Sequence, residues 1–482
     1  MLAVRASYSE LVHALDKKKS TVNESESESE SEGGKLSLYS AALHLTKLCL
    51  GTGVLALPFA TTKGGTLFMP LGITVIALLN GFSCHMMIEC KKCCETSRVP
   101  PGLSSTYSKI AFCSGGWPAV IVTDASIIMT LLGVCISYQI TFSSLMEDFL
   151  KGLGGVFAVS SWALSVASFV ILMAPVLITE DISSLTRFSF GGLVTLLGGV
   201  GSIFAFGVEL YGLDVINGSV TPRVQPLPLF PQSLEDFFAS IGVVVFGFGI
   251  CSLVFPVEES LQTKSDFSTA VTLSLVFVGL TYSIVGVGGA ILFVHDPAGV
   301  GSNVLRNLPS ASLAAQLVRL SMAATCLLTF PLAFVPPAKM IESYLSSLLT
   351  RCGLTSTPHL AYYTEINGES SEPRLSTPVR YSNRALLLGA CTYVSCRFPC
   401  FGLLVSLLGC FTVTILSFIL PPFFRLKLVS LPCLETEDGH RPSLCPQVAR
   451  DCLLTLLGTL LCVVASTVVV RQILASSGGG TC

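Results

Sequence analysis

Charge is what this sequence lacks. Only 12% of its 482 residues are Asp, Glu, Lys or Arg, against about 25% in an ordinary soluble domain. No basic patch is present to neutralise phosphates, so no nucleic-acid partner is expected. No HExxH segment, phosphate-binding loop or nucleophile–base pair appears, so an enzyme is not expected and no cofactor is called for. Metal-like spacing occurs at Cys90-Lys91-Lys92-Cys93-Cys94, but no second cysteine pair stands nearby, so no metal site is assigned. Those cysteines are read as interfacial residues or juxtamembrane acylation sites. No apolar leader-type run precedes residue 37.

What the chain has instead is apolar length. It is 51% hydrophobic, with a mean hydropathy of +0.73. Apolar runs of about 20 residues recur along it, the length that crosses a bilayer as a helix. The expected class is an all-α polytopic membrane protein embedded in a lipid bilayer, with about eleven spans. These are Leu38–Ala60, Thr66–Ile88, Pro118–Leu145, Gly155–Ile178, Phe190–Tyr211, Phe237–Val257, Ser268–Val294, Leu313–Phe334, Ala385–Arg397, Cys400–Leu420 and Cys452–Val470. Most of the 19 cysteines fall inside such runs, as small hydrophobes rather than a disulfide framework.

Three segments stand apart. Residues 1–37 carry the alternating Ser/Glu run Glu24–Glu32, have nothing to bury, and read as a disordered cytoplasmic tail. Residues 38–472 form the membrane domain, with a long polar cytoplasmic loop over 336–384, and 473–482 are a short tail. A cytoplasmic N-terminus leaves only Lys63, Lys151, Arg223, Arg306, Arg397 and Arg471 of the 28 lysines and arginines on the far side, apart from Lys47 and Arg319 within spans. The sequon at Asn217-Gly218-Ser219 then also lies outside the cytosol, as a glycosylation candidate.

Function is written in the first span. Leu43–Gly65 places His44 and Lys47 in the membrane phase, then Gly51-Thr52-Gly53, then Pro58. A mid-bilayer charge costs at least ~2.5–3.5 kcal/mol on insertion scales, so it should face protein or a water-filled cavity. His44, Lys47 and Gly51 share one helical face, expected to point into the bundle. Glycines around a threonine favour unwinding, which is tolerated at membrane depth only where it lines a cavity. Span six repeats the device at Phe246-Gly247-Phe248-Gly249-Ile250-Cys251-Ser252 before Pro256. Interrupted helices at equivalent places in two five-span repeats point to a binding site between them. Unwound N–H groups suit a carboxylate and carbonyls suit an ammonium. Tyr138, Ser252 and Thr325 are read as side-chain contacts. His44, Lys47 and Asp124 are proton-handling candidates, although Asp124 could equally pair with a cation; Arg319, near the end of its span, is expected to snorkel.

At these residues the chain resembles the amino acid/auxin permease family, especially its proton-coupled amino acid transporter branch. The resemblance rests on His44-Leu45-Thr46-Lys47 with Gly51–Pro58 and Gly64-Gly65. It extends to Leu132-Gly133-Val134-Cys135 with Tyr138, Phe255-Pro256-Val257-Glu258, Thr329-Phe330-Pro331-Leu332, and Leu407-Leu408-Gly409 through Leu420-Pro421-Pro422. It implies a LeuT-type 5+5 inverted-repeat fold with eleven helices and secondary active import of amino acids into the cytosol with protons. The bound partners would be an amino acid and a proton, sodium being disfavoured beside two basic groups. The branch often carries Phe-Glu where this chain has Phe248-Gly249. Sodium-coupled or facilitative transport, and a non-transporting amino-acid sensor, are the alternatives. The membrane is expected to be the plasma membrane or an acidic, vacuole-like or lysosome-like endomembrane.

Overall fold

The computed structural model describes residues 36–479, apart from 95–98, 101–102, 104, 154–158, 179–185, 218–225, 298, 311, 352–375, 399 and 431–445. The Ser/Glu run and the centre of the expected 336–384 loop therefore lie outside the described residues. What is described is helical, save one isolated parallel bridge between Leu36 and Leu261.

Helix α1, Leu38–Cys49, starts at Ser37, whose side chain accepts from Ser40 N–H. It breaks at Leu50–Gly51, passes through a 3₁₀ turn, Thr52–Ala56, and resumes as α2, Leu57–Gly64. The two limbs are bent by 52°. Pro58 sits in the first turn of α2, where its missing N–H costs nothing. Gly65 ends α2 with φ of 96°, and a Cβ there would come within 2.5 Å of the Leu229 carbonyl. Helix α3 is Phe68–Cys94. Helix α4, Thr106–Gly152, is kinked where Gly116 adopts φ 65°, ψ −156° just before Pro118. Helices α5 (Ser161–Ile178) and α6 (Thr186–Asn217) follow.

The second broken helix comprises α7, Leu234–Gly247, and α8, Val254–Glu259, with Phe248–Leu253 unwound between them. Ser233 caps α7 by accepting from Asp236 N–H at 3.0 Å, and Glu235 and Asp236 suit its dipole. The next span is α9 (Phe267–Ser283), a π turn (Ile284–Gly288) and α10 (Gly289–Phe293). Then come α11 (Leu313–Arg351) and α12 (Thr377–Arg397). A span with two π turns runs from α13 (Phe401–Leu408) to α14 (Leu420–Arg425). The last helix is α15 (Pro446–Gly479).

All eleven expected spans are present as helices or broken helices, although not all are apolar or long enough to pass for one by composition. Among the described residues, eight helices are long and apolar enough to cross a membrane, or nine when α1 and α2 count as one bent span. Span six fails because its break leaves limbs of 14 and 6 residues. Span nine fails because α12 carries Arg380, Arg384 and Arg397, although it is longer than Ala385–Arg397. Helix α11 also continues to Arg351, so part of the supposed 336–384 loop is helix, and α15 continues to Gly479.

The two broken spans run antiparallel, pinned at both ends by main-chain hydrogen bonds. At one end Leu36 N–H donates to Ser260 O (3.0 Å) and Gln262 N–H to Leu36 O (3.1 Å). At the other Thr66 N–H donates to Pro228 O (2.9 Å), and Leu67 and Phe68 N–H to Leu229 O. Glycines bring other helices onto their backbones. A Cβ on Gly409 would lie 1.9 Å from Gly242 O, and one on Gly289 2.6 Å from Pro58. Gly409→Ala should therefore destabilise the fold by about 1–3 kcal/mol or more through overpacking. Thermal unfolding of the purified protein checks this: a clear fall in Tm is expected, with Gly198→Ala, whose Cβ meets open space, as the neutral control.

Candidate functional site

A cavity of about 110 Å³ lies where the breaks of α1/α2 and α7/α8 face α4. Gly51, Thr52 and Gly53 line it from one break, and Phe246, Gly247, Gly249, Ser252 and Leu253 from the other. Tyr138 and Thr130 line it from α4, and the Thr130 and Thr412 hydroxyls, 2.8 Å apart, tie that wall to the π-turn span. No Asp, Glu, Lys, Arg or His is among the lining residues. A charged ligand would thus be met by main-chain groups. Thr52 and Gly53 begin the 3₁₀ turn, so their N–H groups have no partner within it.

The structure brings eight of the expected contacts together: Gly51, Thr52, Gly53, Phe246, Gly247, Gly249, Ser252 and Tyr138. Two are corrected. Phe248 is fully buried and packs edge-on against Tyr282, with centroids 5.2 Å apart, because its ring turns away from the cavity. Thr325 does not reach the cavity; its hydroxyl donates to Ser321 O one turn back.

The polar face of α1 is corrected too. His44 is exposed and Lys47 half-buried, so that face does not pack into the bundle. Helical spacing carries it through Leu48 to Gly51, both of which line the cavity. His44 and Lys47 themselves lie outside the cavity lining. Val304 and Leu305, in a 3₁₀ turn (Val304–Asn307) packed against Thr52–Ala56, are fully buried. Asn307 braces that loop by donating to the Asp296 carboxylate (2.8 Å) and Gly299 O (2.7 Å). Arg319 does not snorkel: it is buried and donates to Leu308 and Pro309 carbonyls.

Asp124 is buried but outside the cavity lining. It accepts from Ser108 Oγ (2.5 Å), on the far limb of the α4 kink, and from the Tyr344 hydroxyl on α11. It joins three segments through hydroxyls, not through the cation offered as its alternative partner. Asn217 is the last residue of α6, and the rest of its sequon lies outside the described residues. Cys90 and Cys94 are buried, leaving only Cys93 of that trio accessible for acylation, and no metal cluster forms among the described residues. Cys400 is disulfide-bonded.

Sequence reasoning missed Tyr282. Its hydroxyl oxygen lies 2.6 Å from Cys49 O and 3.0 Å from Gly247 O, at the ends of α1 and α7. A tyrosine inside an apolar run is the available signal, since a buried phenol needs a partner.

The Asp124 joint can be tested by a double-mutant cycle. Asp124→Ala and Tyr344→Phe should each destabilise the protein, and the pair should be non-additive by about 0.5–3 kcal/mol. Additive losses in thermal unfolding would mean that the two do not act on one bond.

Comparison with known proteins agrees with this architecture. The profile of the family described as transmembrane amino acid transporter protein matches residues 34–471. The chain is 24% identical over 393 residues to amino acid transporter AVT3B of Arabidopsis thaliana, covering 79% of this chain and 82% of that protein. It is 25% identical over 313 residues to vacuolar amino acid transporter 4 of Saccharomyces cerevisiae, covering 64% of this chain and 41% of that one. Among solved structures, it is similar to a Na⁺-coupled sialic acid symporter in a substrate-bound, outward-open state (TM-score 0.48, 11% identity, 92% of this chain and 90% of that). It is also similar to inward-facing Mhp1 (TM-score 0.49, 12% identity, 92% of each). These likenesses bear on neither substrate nor coupling ion. The two broken helices run antiparallel, at the spans where the sequence places its interruptions. The profile spans nearly the whole membrane domain, both helix breaks included, and so the chain belongs to the transmembrane amino acid transporter family, also called the amino acid/auxin permeases.

Proposed function

We propose that this protein is a secondary active transporter that carries an amino acid across its membrane with protons, by alternating access around the two helix breaks. The observation that carries the reading is the convergence of both breaks on one cavity without a charged side chain. A zwitterion needs a donor set for its carboxylate and an acceptor set for its ammonium. The N–H groups at the start of Thr52–Ala56 suit the first, and the carbonyl ends of α1 and α7 suit the second.

The proton reading rests on the His44 and Lys47 face of α1, which continues through Leu48 to Gly51 at the cavity. A cation travelling past His44 and Lys47 meets at least one like charge, whereas histidine exchanges a proton near physiological pH. Asp124, outside the cavity, serves as a second proton-handling candidate. The lysine and arginine bias assigns the N-terminal end of α1 to the cytoplasm. On that orientation residues 1–37 are a cytoplasmic tail, Asn217 heads a non-cytoplasmic loop, and 38–472 are the transport domain. The name of the yeast relative supports an acidic vacuole-like membrane, where transport into the cytosol empties the lumen.

Uptake of single amino acids into vesicles containing the purified protein tests the reading, with proton and sodium gradients imposed separately. A proton gradient should raise the initial rate several-fold and a sodium gradient should not. Uptake that follows sodium alone would overturn proton coupling, and binding without flux would favour a sensor. His44→Ala should flatten the pH dependence of uptake between roughly pH 5 and 8; an unchanged profile removes His44 from that role.

A further inference from the structure

The carbonyl ends of α1 and α7 meet at one atom. The Tyr282 hydroxyl oxygen lies 2.6 Å from Cys49 O and 3.0 Å from Gly247 O. Both are helix C-terminal ends, each carrying up to about half a negative charge, so they repel unless a donor or a cation stands between them. The structure supplies the donor from α9, and the ring is fixed. Tyr282 is 1% exposed, and its ring edge meets Phe248. A Cβ on Gly247 would approach its Cε2 to 2.6 Å. Gly247 is therefore required for the ring to reach the junction.

A phenol has one hydrogen and can satisfy one carbonyl at a time. Each carbonyl oxygen has two lone pairs; Cys49 O also accepts from Gly51 N–H at 2.8 Å, so the spare acceptor capacity lies at Gly247 O while the phenol donates to Cys49 O. Cys49 and Gly247 also line the cavity, whereas Tyr282 does not. We infer that Tyr282 is a positioning residue: from outside the cavity it holds the two helix-end carbonyls at the spacing that receives a ligand's ammonium group. The inference deepens the amino-acid reading and rests on it. It adds that no metal cation is needed at this junction, because a hydroxyl hydrogen already stands between the two carbonyls.

Removing the hydroxyl should weaken recognition of the ammonium end only. The test uses the full chain in vesicles, radiolabelled alanine as substrate, and lactate as a competitor that keeps the carboxylate but has a hydroxyl in place of the ammonium. For Tyr282→Phe, KM for alanine should rise about tenfold or more, turnover should stay within about threefold of wild type, and the inhibition constant of lactate should not move. An unchanged KM, a fall in turnover alone, or parallel weakening of alanine and lactate would overturn the assignment. Should that variant not survive purification, Phe248→Leu keeps the hydroxyl but removes the edge contact that fixes the ring. It is expected to raise KM about threefold with turnover preserved, and no change in KM would overturn the assignment. Wild-type protein that neither binds nor moves alanine or leucine overturns the transport reading and this one with it. Wild-type transport with an unaffected Tyr282→Phe overturns only the role of Tyr282.

Discussion

A helix broken inside a bilayer leaves main-chain donors and acceptors where no lipid can satisfy them, and most of this structure answers that problem. Each unsatisfied group costs several kcal/mol in hydrocarbon. Part of the answer is local: Gly51 N–H turns back to Cys49 O, and Ile250 N–H to Phe248 O, both at 2.8 Å. Part comes from a neighbour, through the Tyr282 phenol. The rest is exclusion of lipid by packing. Glycines at 242, 286, 289 and 409 let two neighbouring spans press directly onto the broken pair. The glycines are thus distributed between the hinges and the partners that shield them.

Charge is handled by the same logic. Arg384, almost wholly buried, donates to Glu342 (2.8 Å) and to Val176 O at the end of α5 (2.9 Å). Arg425 meets Glu89 at 2.5 Å and Asp451 at 3.0 Å, and Lys91 meets Glu258 at 2.5 Å. Removing one member of a buried pair typically costs about 3–5 kcal/mol, so such pairs fix the helices they join. The cavity wall, in contrast, holds no charged side chain. Charge is locked at the framework and absent at the place where a ligand must come and go.

Both breaks are legible in the sequence because glycine clusters before Pro58 and Pro256 violate what a lipid-facing helix requires. The cavity lining follows from them, since Gly51–Gly53 and Phe246–Gly249 share one neighbourhood once the two helices are paired. Rotation about a helix is less legible. Phe248 and Gly249 are adjacent, yet one turns to Tyr282 and the other to the cavity, and only the path of the unwound strand decides which. His44 shows the same limit: a polar face is predictable, but whether it packs against protein depends on what stands opposite. Thr325 satisfies itself within its own helix, as threonine readily does. A hydropathy test misses spans where charge and brevity defeat it, at α12 and at the two limbs of span six.

The pins at the two ends of the broken pair have a mechanical consequence. Leu36 is bonded to the segment just after α8, and the residues after α2 are bonded to the segment just before α7. The four half-helices therefore form a closed loop of stiff links, α1 to α2 to α7 to α8 and back to α1. Two corners are the unwound breaks, which bend, and two are main-chain staples, which pivot. A planar four-bar linkage has a single internal freedom, so in the plane of the pair α1 cannot swing out without carrying α8 with it, and α2 and α7 answer at the other end. Opening one mouth and closing the other then become a single motion, without a signal passed between two separate gates.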